Sequence, residues 1–167
     1  MQPIYIDEGQ FELNFDTVKV GTATFSVMYE GQIIGEKNTI AVVPGPVNVA
    51  HSVLKCPRKV SAGSAFDCSV ETRDESASST GTEADIDAFV FTASRDGYGD
   101  SATAASVVMV CKGGPEEQCT VVDGACSCGR VYFKAEFGAD VVTGAGPWTV
   151  TAKFGADKLL SEETVDV

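Results

Sequence analysis

Residues 147–154 read PWTVTAKF and residues 129–137 read GRVYFKAEF. Apolar and polar side chains alternate along both stretches, and this period of two is typical of a β-strand with one buried face. The predicted buried residues include Trp148, Val150, Phe133 and Phe137. No stretch of the sequence shows a sustained period of 3.6, so the pattern favours strands over helices throughout.

The same alternation recurs at short intervals along the rest of the chain. Further strands are predicted at residues 11–15, 23–29, 38–43, 52–60, 65–72, 86–94, 105–112, 118–122 and 161–167. Residues 61–64 and 95–100 are predicted turns, and Asp96-Gly97 and Asp123-Gly124 are typical turn dipeptides. Seven or eight short strands with turns at this spacing predict an all-β fold, specifically an immunoglobulin-like β-sandwich.

The sequence also contains an internal repeat. Residues 21–42 read GTATFSVMYEGQIIGEKNTIAV, and residues 146–167 read GPWTVTAKFGADKLLSEETVDV, an offset of 125. Upstream, residues 11–15 resemble residues 133–137 at an offset of 122, and the difference falls in a loop.

The repeat predicts the domain organisation. Residues 1–42 form the C-terminal part of one repeat, residues 43–48 form a Pro/Gly linker, and residues 49–167 form a complete repeat. The prolines of the linker remove backbone donors and stop a strand. We therefore expect a piece of a longer tandem array, in which residues 1–42 cannot bury their apolar face alone.

Several of these segments resemble filamin-type immunoglobulin-like repeats. Residues 59–74, KVSAGSAFDCSVETRD, are similar to the opening hairpin of that family, with its Ala-Gly turn and its acidic, arginine-containing end. Residues 21–35, GTATFSVMYEGQIIG, resemble its closing pattern, and Val43-Pro44-Gly45-Pro46 resembles its inter-repeat linker. The resemblance spans nearly the whole chain and implies a structural, non-catalytic role.

Two departures from the filamin pattern bear on location. The unit is longer than a usual filamin repeat, around residues 76–85 and 113–128, and it contains six cysteines, whereas cytoplasmic filamins use no disulfide framework. Filamin-like repeats also occur in the ectodomains of plant and algal gamete adhesion proteins. The resemblance therefore implies an extracellular or cell-surface relative of that kind, with a cytoplasmic protein as the alternative.

All six cysteines fall in the second repeat, and an even number in one domain predicts three disulfides. The cysteines are Cys56, Cys68, Cys111, Cys119, Cys126 and Cys128. In a hairpin that turns at residue 62, positions 56 and 68 lie opposite each other, which places their Cβ atoms close enough for a bridge.

The connectivity of the other four cysteines stays open at this point. We favour Cys111–Cys128 with Cys119–Cys126, because both pairs would nest in one hairpin centred near residues 120–122. Zinc binding and free thiols are the alternatives. The spacings lack the Cys-x-x-Cys pattern of zinc knuckles, so disulfides are preferred.

Composition excludes several functions. The net charge of −12 repels phosphate backbones and anionic lipid, so neither nucleic acid nor a membrane surface is an expected partner. The simplest role of this charge is solubility. No run of 18 apolar residues predicts a membrane span, and the N-terminus does not resemble a signal peptide.

No catalytic, cofactor or metal site is predicted. His51 is the only histidine, and no nucleophile motif or phosphate-binding loop accompanies it. Glu83, Asp85 and Asp87 offer carboxylate oxygens for calcium, but they lack the glycine of a calcium loop. Residues 74–82, rich in serine and threonine, are predicted to form a mobile loop.

Three functional hypotheses follow. The first is a structural or adhesive module of a multi-repeat extracellular or cell-surface protein, whose partners are neighbouring repeats or copies of itself. The second is a cytoplasmic filamin-like scaffold that binds partner peptides by β-strand addition. The third is an accessory domain of a secreted enzyme. The first is favoured by the repeat and the cysteines.

Overall fold

The structure, a computed structural model, describes residues 4–7, 10–12, 20–113, 119–126, 129–158 and 161–167. The chain divides into two compact units, Met1–Pro44 and Gly45–Val167. The division falls inside the predicted linker, residues 43–48. Within the described residues, strands dominate and every strand pairing is antiparallel. The predicted all-β class is therefore confirmed.

The described residues of the first unit form two strand pairs. Strands β1 (Ile4–Tyr5) and β2 (Phe11–Glu12) form a short pair, and β3 (Gly21–Tyr29) and β4 (Gln32–Val42) form a long hairpin. Glu30 and Gly31 close the hairpin with positive φ angles of 49° and 82°, as a two-residue turn between twisted strands requires. The predicted strand over residues 11–15 lies mostly outside the described residues.

Among its described residues, the second unit has eleven strands and a 3₁₀ helix. In chain order these are β5 (Val53–Lys55), β6 (Phe66–Glu71), the 3₁₀ helix (Glu83–Ala88), β7 (Phe89–Arg95), β8 (Asp100–Thr103), β9 (Ser106–Lys112), β10 (Val121–Val122), β11 (Ala125–Cys126), β12 (Arg130–Phe137), β13 (Pro147–Phe154), β14 (Asp157–Lys158) and β15 (Glu163–Asp166).

These strands form two main sheets. The first sheet has the order β5-β6-β12-β9. In the second sheet the order is β8-β7-β13, and both β14 and β15 pair with the other edge of β13. Strands β10 and β11 form a separate hairpin around Asp123-Gly124.

The core contains the inward-facing side chains of both sheets. Along β12 and β13 every second residue is buried, so Phe133, Phe137, Trp148 and Val150 are all inaccessible to solvent, as the alternation predicts. The other large buried side chains are Leu54, Phe66, Val70, Phe89, Phe91, Val131, Val142 and Val165. Two sheets with one shared core fit a β-sandwich.

Three local predictions differ from the structure. The strand predicted over residues 86–94 begins three residues later, because residues 83–88 form the 3₁₀ helix, which starts with a bond from the Thr82 backbone N–H to Asp85. The turn predicted at 95–100 is present at residues 96–99, but it leads into β8, a strand that was not predicted. The last strand of the first unit begins at Gln32 rather than near residue 38.

The segment at residues 74–82, predicted to be a mobile loop, forms several hydrogen bonds within the second unit. The buried Asp74 carboxylate accepts hydrogen bonds from the backbone N–H groups of Gly45 (2.9 Å) and Ser78 (2.8 Å). Thr80, also buried, donates to the Gly45 carbonyl at 2.6 Å. These bonds satisfy local backbone groups and attach the start of the second unit to the segment.

The two hairpins that the internal repeat relates have the same register. Gly21 pairs with Val42 in the first unit, and Gly146 and Val167 exchange both backbone hydrogen bonds, at 2.8 and 3.1 Å, in the second. The next four pairs, from Thr22↔Ala41 to Phe25↔Asn38, correspond at the same offset to those between β13 and β15.

Beyond these pairs the correspondence continues after an irregularity. In the first unit the register shifts between Phe25 and Val27. At the equivalent place in the second unit, β13 changes partner from β15 to β14. The pairs after the irregularity, Met28↔Ile33 and Tyr29↔Gln32, match the two pairs between β13 and β14 at the offset of 125.

Candidate interaction surfaces

The cysteines form cross-links at both ends of the first sheet. Cys56 and Cys68 are joined with an S–S distance of 2.03 Å and a Cα–Cα distance of 4.4 Å. The strand register explains this pair, because Lys55 lies opposite Ser69 and the next position along places Cys56 opposite Cys68. The pairing agrees with the one predicted from a hairpin centred at residue 62.

The predicted connectivity of the remaining cysteines is wrong. Cys111 on β9 is joined to Cys126 on β11, with a Cα–Cα distance of 5.6 Å. The prediction assumed one hairpin centred near residues 120–122, whereas the turn lies at Asp123-Gly124 and β9 belongs to the main sheet. Cys119 is also disulfide-bonded, and Cys128 lies outside the described residues.

The other residues considered from sequence have local structural contacts. The ring of His51 uses Nδ1 to donate to the Asp74 carbonyl at 3.0 Å. Asp85 accepts two hydrogen bonds from Thr82, at 2.8 and 3.0 Å, so its carboxylate caps the 3₁₀ helix. Across the described residues, no group of three or more His, Cys, Asp or Glu side chains is arranged to hold a metal ion.

The first candidate surface is the apolar hairpin face, defined as the side of β3 and β4 that holds Ala23, Val27, Tyr29 and Ile40. At the offset of 125 these positions correspond to Trp148, Ala152, Phe154 and Val165, which belong to the core of the second unit or pack against it. In the first unit, however, Val27 is 45% exposed and Tyr29 is 64% exposed.

The outer edge of β3 differs from that of its counterpart. Strand β13 pairs with β7 along its second edge, through six residues from Thr149 to Phe154. Among the described residues, β3 pairs only with β4. An edge with unpaired backbone groups beside an exposed apolar face is a template for association with another strand.

The second candidate surface is the basic face, defined as the outward side of the β5-β6-β12-β9 sheet. Alternate residues of each strand point outward there, since their neighbours point into the core. Its cations are Lys55, Arg73, Lys112, Arg130 and Lys134. Its carboxylates are Asp67, Glu71 and Glu136. The strand pairing brings together residues that are far apart in the sequence, such as Asp67 and Glu136.

A buried carboxylate organises one end of the basic face. The Glu71 side chain is only 4% exposed, and it lies 2.8 Å from Arg73, 3.5 Å from Lys55 and 3.9 Å from Arg130. Burial raises the pKa of Glu71, but the hydrogen bond from Arg73 and the charges of the three cations outweigh it, so the pKa lies below its ordinary value.

The centre of the basic face is a depression of about 300 Å³, and the small side chain of Ser69 is part of its lining. Ser69 lies directly opposite both Lys55 and Lys134 in the two neighbouring strands. Lys134 lies 2.8 Å from Asp67, and their hydrogen bond raises the pKa of Lys134. The Lys112 ammonium lies over the Tyr132 ring, 5.4 Å from its centroid. Three ammonium groups thus surround one concave site.

Neither surface could be identified from single motifs. The outward alternation of Arg130, Tyr132, Lys134 and Glu136 is visible in the sequence, but the strands beside it are not. The basic face can be identified only when the order of the strands in the sheet is known, and short stretches of sequence do not contain that order.

No protein-family model, no curated protein and no solved structure matches this chain. The filamin-type resemblance of the sequence therefore stays a prediction. Within the part of the chain that the structure describes, no helix is long and apolar enough to cross a membrane.

Proposed function

We propose that this chain is a non-catalytic structural or adhesive module of a multi-repeat extracellular or cell-surface protein. It acts through contacts between repeats and with other proteins. The observation that carries the proposal is the shared register of the β3–β4 hairpin and the β13–β14–β15 hairpin, including the irregularity at the same position. Two hairpins with one pattern support a tandem array of one kind of domain.

The second unit is proposed to be an immunoglobulin-like sandwich of the filamin type. We assign the letters A, B, C, C′, D, E, F and G to strands β5, β6, β7, β8, β9, β12, β13 and β15, in that order. The sheet orders are then A-B-E-D and C′-C-F-G, which are the orders of immunoglobulin-like domains. After β5 the chain crosses to the second sheet, where Lys59 forms a parallel bridge with Asp166. This crossing supports the same assignment.

The cysteine chemistry supports an extracellular location. The joined pairs Cys56–Cys68 and Cys111–Cys126 tie segments that are 12 and 15 residues apart. Disulfides persist in oxidising compartments and are rare in the cytosol. Each cross-link closes a loop and so reduces the entropy of the unfolded chain.

Assembly is the mode of action that the first unit supports. In the second unit the side chain equivalent to Val27, Ala152, is buried in the core, and the one equivalent to Tyr29, Phe154, packs against it. Covering the apolar hairpin face requires strands beyond those described for the first unit. Contacts between repeats or copies supply such cover and bury exposed apolar surface, which is favourable by about 25 cal/mol per Å².

The second candidate function is a cytoplasmic filamin-like scaffold that binds partner peptides by β-strand addition. The observation that favours it is the edge of β3, which has no paired strand among the described residues. The two candidates differ in the redox state of the cysteines. Oxidised cysteines in protein isolated under alkylating conditions favour the extracellular module, and free thiols favour the scaffold.

Light scattering on residues 1–167 and on residues 45–167 tests the proposal. The longer protein should associate at micromolar concentration, whereas the shorter one should lose that part of the association that the apolar hairpin face causes. If both proteins are monomeric at every concentration and have equal melting temperatures, the first unit is self-sufficient and the assembly proposal fails.

A further inference from the structure

The basic face has a charge opposite to that of the rest of the protein. It holds five of the 12 Lys and Arg residues and three of the 24 Asp and Glu residues. The remainder of the chain therefore holds seven cations and 21 carboxylates, a net charge of −14, whereas the face carries +2. Such a separation is unexpected if the charges serve only solubility.

We propose that the basic face binds the acidic surface of a second copy of this chain. The inference rests on the proposed function, assembly through contacts between copies, and it assigns a second contact surface for that assembly. The contact is heterologous, because the basic face of one copy meets a different surface of the next. Contacts of this kind propagate into linear arrays.

The carboxylates on the face are already occupied by its own cations, which leaves positive charge for a partner. Glu71 is surrounded by three cations, and Lys134 lies within 4 Å of both Asp67 and Glu136. Among the described residues, no carboxylate lies within 4 Å of Lys112, and its ammonium makes a cation–π contact with the Tyr132 ring. The ammonium of Lys112 is therefore available to a carboxylate of the partner.

The shape of the face suits a carboxylate side chain. The depression of about 300 Å³ is lined by Lys55, Lys112 and Lys134, by Ser69 and Tyr132, and by Asp67, whose carboxylate is paired with Lys134. The hydroxyls of Ser69 and Tyr132 can both donate to an anionic oxygen. A concave site with cations on its rim attracts an anion more strongly than the same cations on a convex surface.

A second copy is the occupant that the charge distribution favours. The chain outside the basic face has a net charge of −14, so a second copy offers many carboxylates to this site. The net charge of −12 makes two distant copies repel each other. At 0.1 M salt the Debye length is about 10 Å, so this long-range repulsion is screened while direct contacts between charges persist.

Sedimentation velocity on the full chain tests the inference. One variant, Lys55→Gln/Lys112→Gln/Lys134→Gln, removes three cations from the depression. The control, Lys37→Gln/Arg58→Gln/Lys153→Gln, removes three exposed cations elsewhere and changes the net charge equally. Each protein is measured at 0.1 M and 1 M salt, and far-ultraviolet circular dichroism establishes that each is folded.

At 0.1 M salt we expect the wild type and the control to associate, with dissociation constants that agree within about threefold. The variant in the depression should bind about tenfold or more weakly, because close charge pairs at an interface contribute at least that much. At 1 M salt, where the Debye length is about 3 Å, the wild type should fall to the same level as the variant.

Three outcomes would overturn the inference. The first is equal association of the wild type and the folded variant at 0.1 M salt. The second is an equal loss in the control, which would assign the effect to net charge. The third is a wild type that shows no salt-sensitive association but binds dextran sulfate through Lys55, Lys112 and Lys134. The ligand of the basic face would then be a polyanion and not a second copy.

The result separates this inference from the proposed function. Association through the apolar hairpin face persists at 1 M salt, because burial of apolar surface is not screened by ions. A wild type whose association is entirely salt-resistant would therefore contradict the basic face and leave the proposed module intact. A wild type with no salt-resistant association would contradict the assembly proposal itself.

Discussion

The ring of Phe89 stacks on the ring of Phe133, with the ring centroids 4.4 Å apart and an interplanar angle of 28°. Phe89 begins β7 in the second sheet, and Phe133 lies in the middle of β12 in the first. This contact joins the two sheets at the centre of the core. Offset aromatic pairs of this kind add about 0.5–1.5 kcal/mol beyond their buried area.

The first prediction concerns the glycine that approaches this stack. A methyl group at Gly81 would lie 2.8 Å from Phe133 Cε2, and Gly81 also has a φ of +135°. Gly81→Ala should lower the free energy of unfolding by about 2–4 kcal/mol, through overpacking and backbone strain together.

Gly146→Ala is the matched control for backbone strain. Gly146 has a φ of +119°, close to that of Gly81, and nothing lies within 4 Å of a methyl group there. Its substitution introduces the backbone strain without the overpacking and should cost only about 1–2 kcal/mol. Denaturant titration of both variants measures the difference, and equal losses would mean that Phe133 does not restrict the Gly81 position.

The second prediction concerns the cysteines. Peptide mapping without reduction should find one cross-link between Cys56 and Cys68 and one between Cys111 and Cys126. Since Cys119 is also disulfide-bonded, a third cross-link should contain Cys119, and the intact mass should rise by six hydrogens on reduction. A cross-link from Cys111 to any other cysteine, or zinc at one equivalent, would refute this arrangement.

The third prediction concerns pH. The pKa of Glu71 in the folded protein lies below its ordinary value of 4.5, so its charge stabilises the fold above that pH. This stability should be lost as the pH falls through the folded-state pKa. Glu71→Gln should cost about 1–3 kcal/mol at pH 7, because the charge-assisted hydrogen bond from Arg73 is weakened.

Glu136→Gln is the matched control on the same face, because Glu136 is exposed and its contact with Lys134 is 3.5 Å long. That variant should behave like the wild type at every pH. Thermal melts between pH 3 and pH 7 provide the comparison. A Glu71→Gln variant with an unchanged loss of stability in acid would assign that loss to other carboxylates.

The fourth prediction concerns the segment at residues 74–82. Asp74→Ala removes the acceptor of the Gly45 and Ser78 backbone bonds. Hydrogen exchange at those two amides should accelerate about tenfold or more, because each loses a charge-assisted bond. Glu75→Ala, at the exposed neighbouring position, should leave both rates unchanged. Equal rates in the two variants would mean that Asp74 does not hold the segment.

Part of this structure was predictable from short stretches of sequence. The alternation at residues 129–137 and 147–154 identifies the buried faces of β12 and β13, because a period of two is a local property. The symmetry of positions 56 and 68 about residue 62 identifies one disulfide for the same reason. Self-similarity identifies residues 21–42 with residues 146–167, and the hairpins do share a register.

The remaining features depend on contacts between distant residues. Residues 83–88 read EADIDA, in which acidic and apolar side chains alternate, and this period of two favours a strand rather than the 3₁₀ helix that forms there. The pairing of Cys111 with Cys126 follows from β9 lying in the main sheet, which the spacing of the cysteines does not reveal. The basic face needs the order of four strands from different parts of the chain.

The assembly of copies through the apolar hairpin face is the central claim, and the two sides of the β3–β4 hairpin allow a matched test. Val27→Lys/Tyr29→Lys places charges on the apolar hairpin face. Met28→Lys/Ile33→Lys places the same charges on the opposite side, where the second unit has the paired residues Lys153 and Lys158. The control therefore gives the first unit the residues that its counterpart already has.

Sedimentation velocity at 1 M salt, where contacts between charges are screened, compares these two variants with the wild type. The account predicts that the wild type and the Met28→Lys/Ile33→Lys variant associate equally, and that the Val27→Lys/Tyr29→Lys variant is monomeric. If all three proteins have the same mass, the apolar hairpin face takes no part in assembly, and the central claim is contradicted.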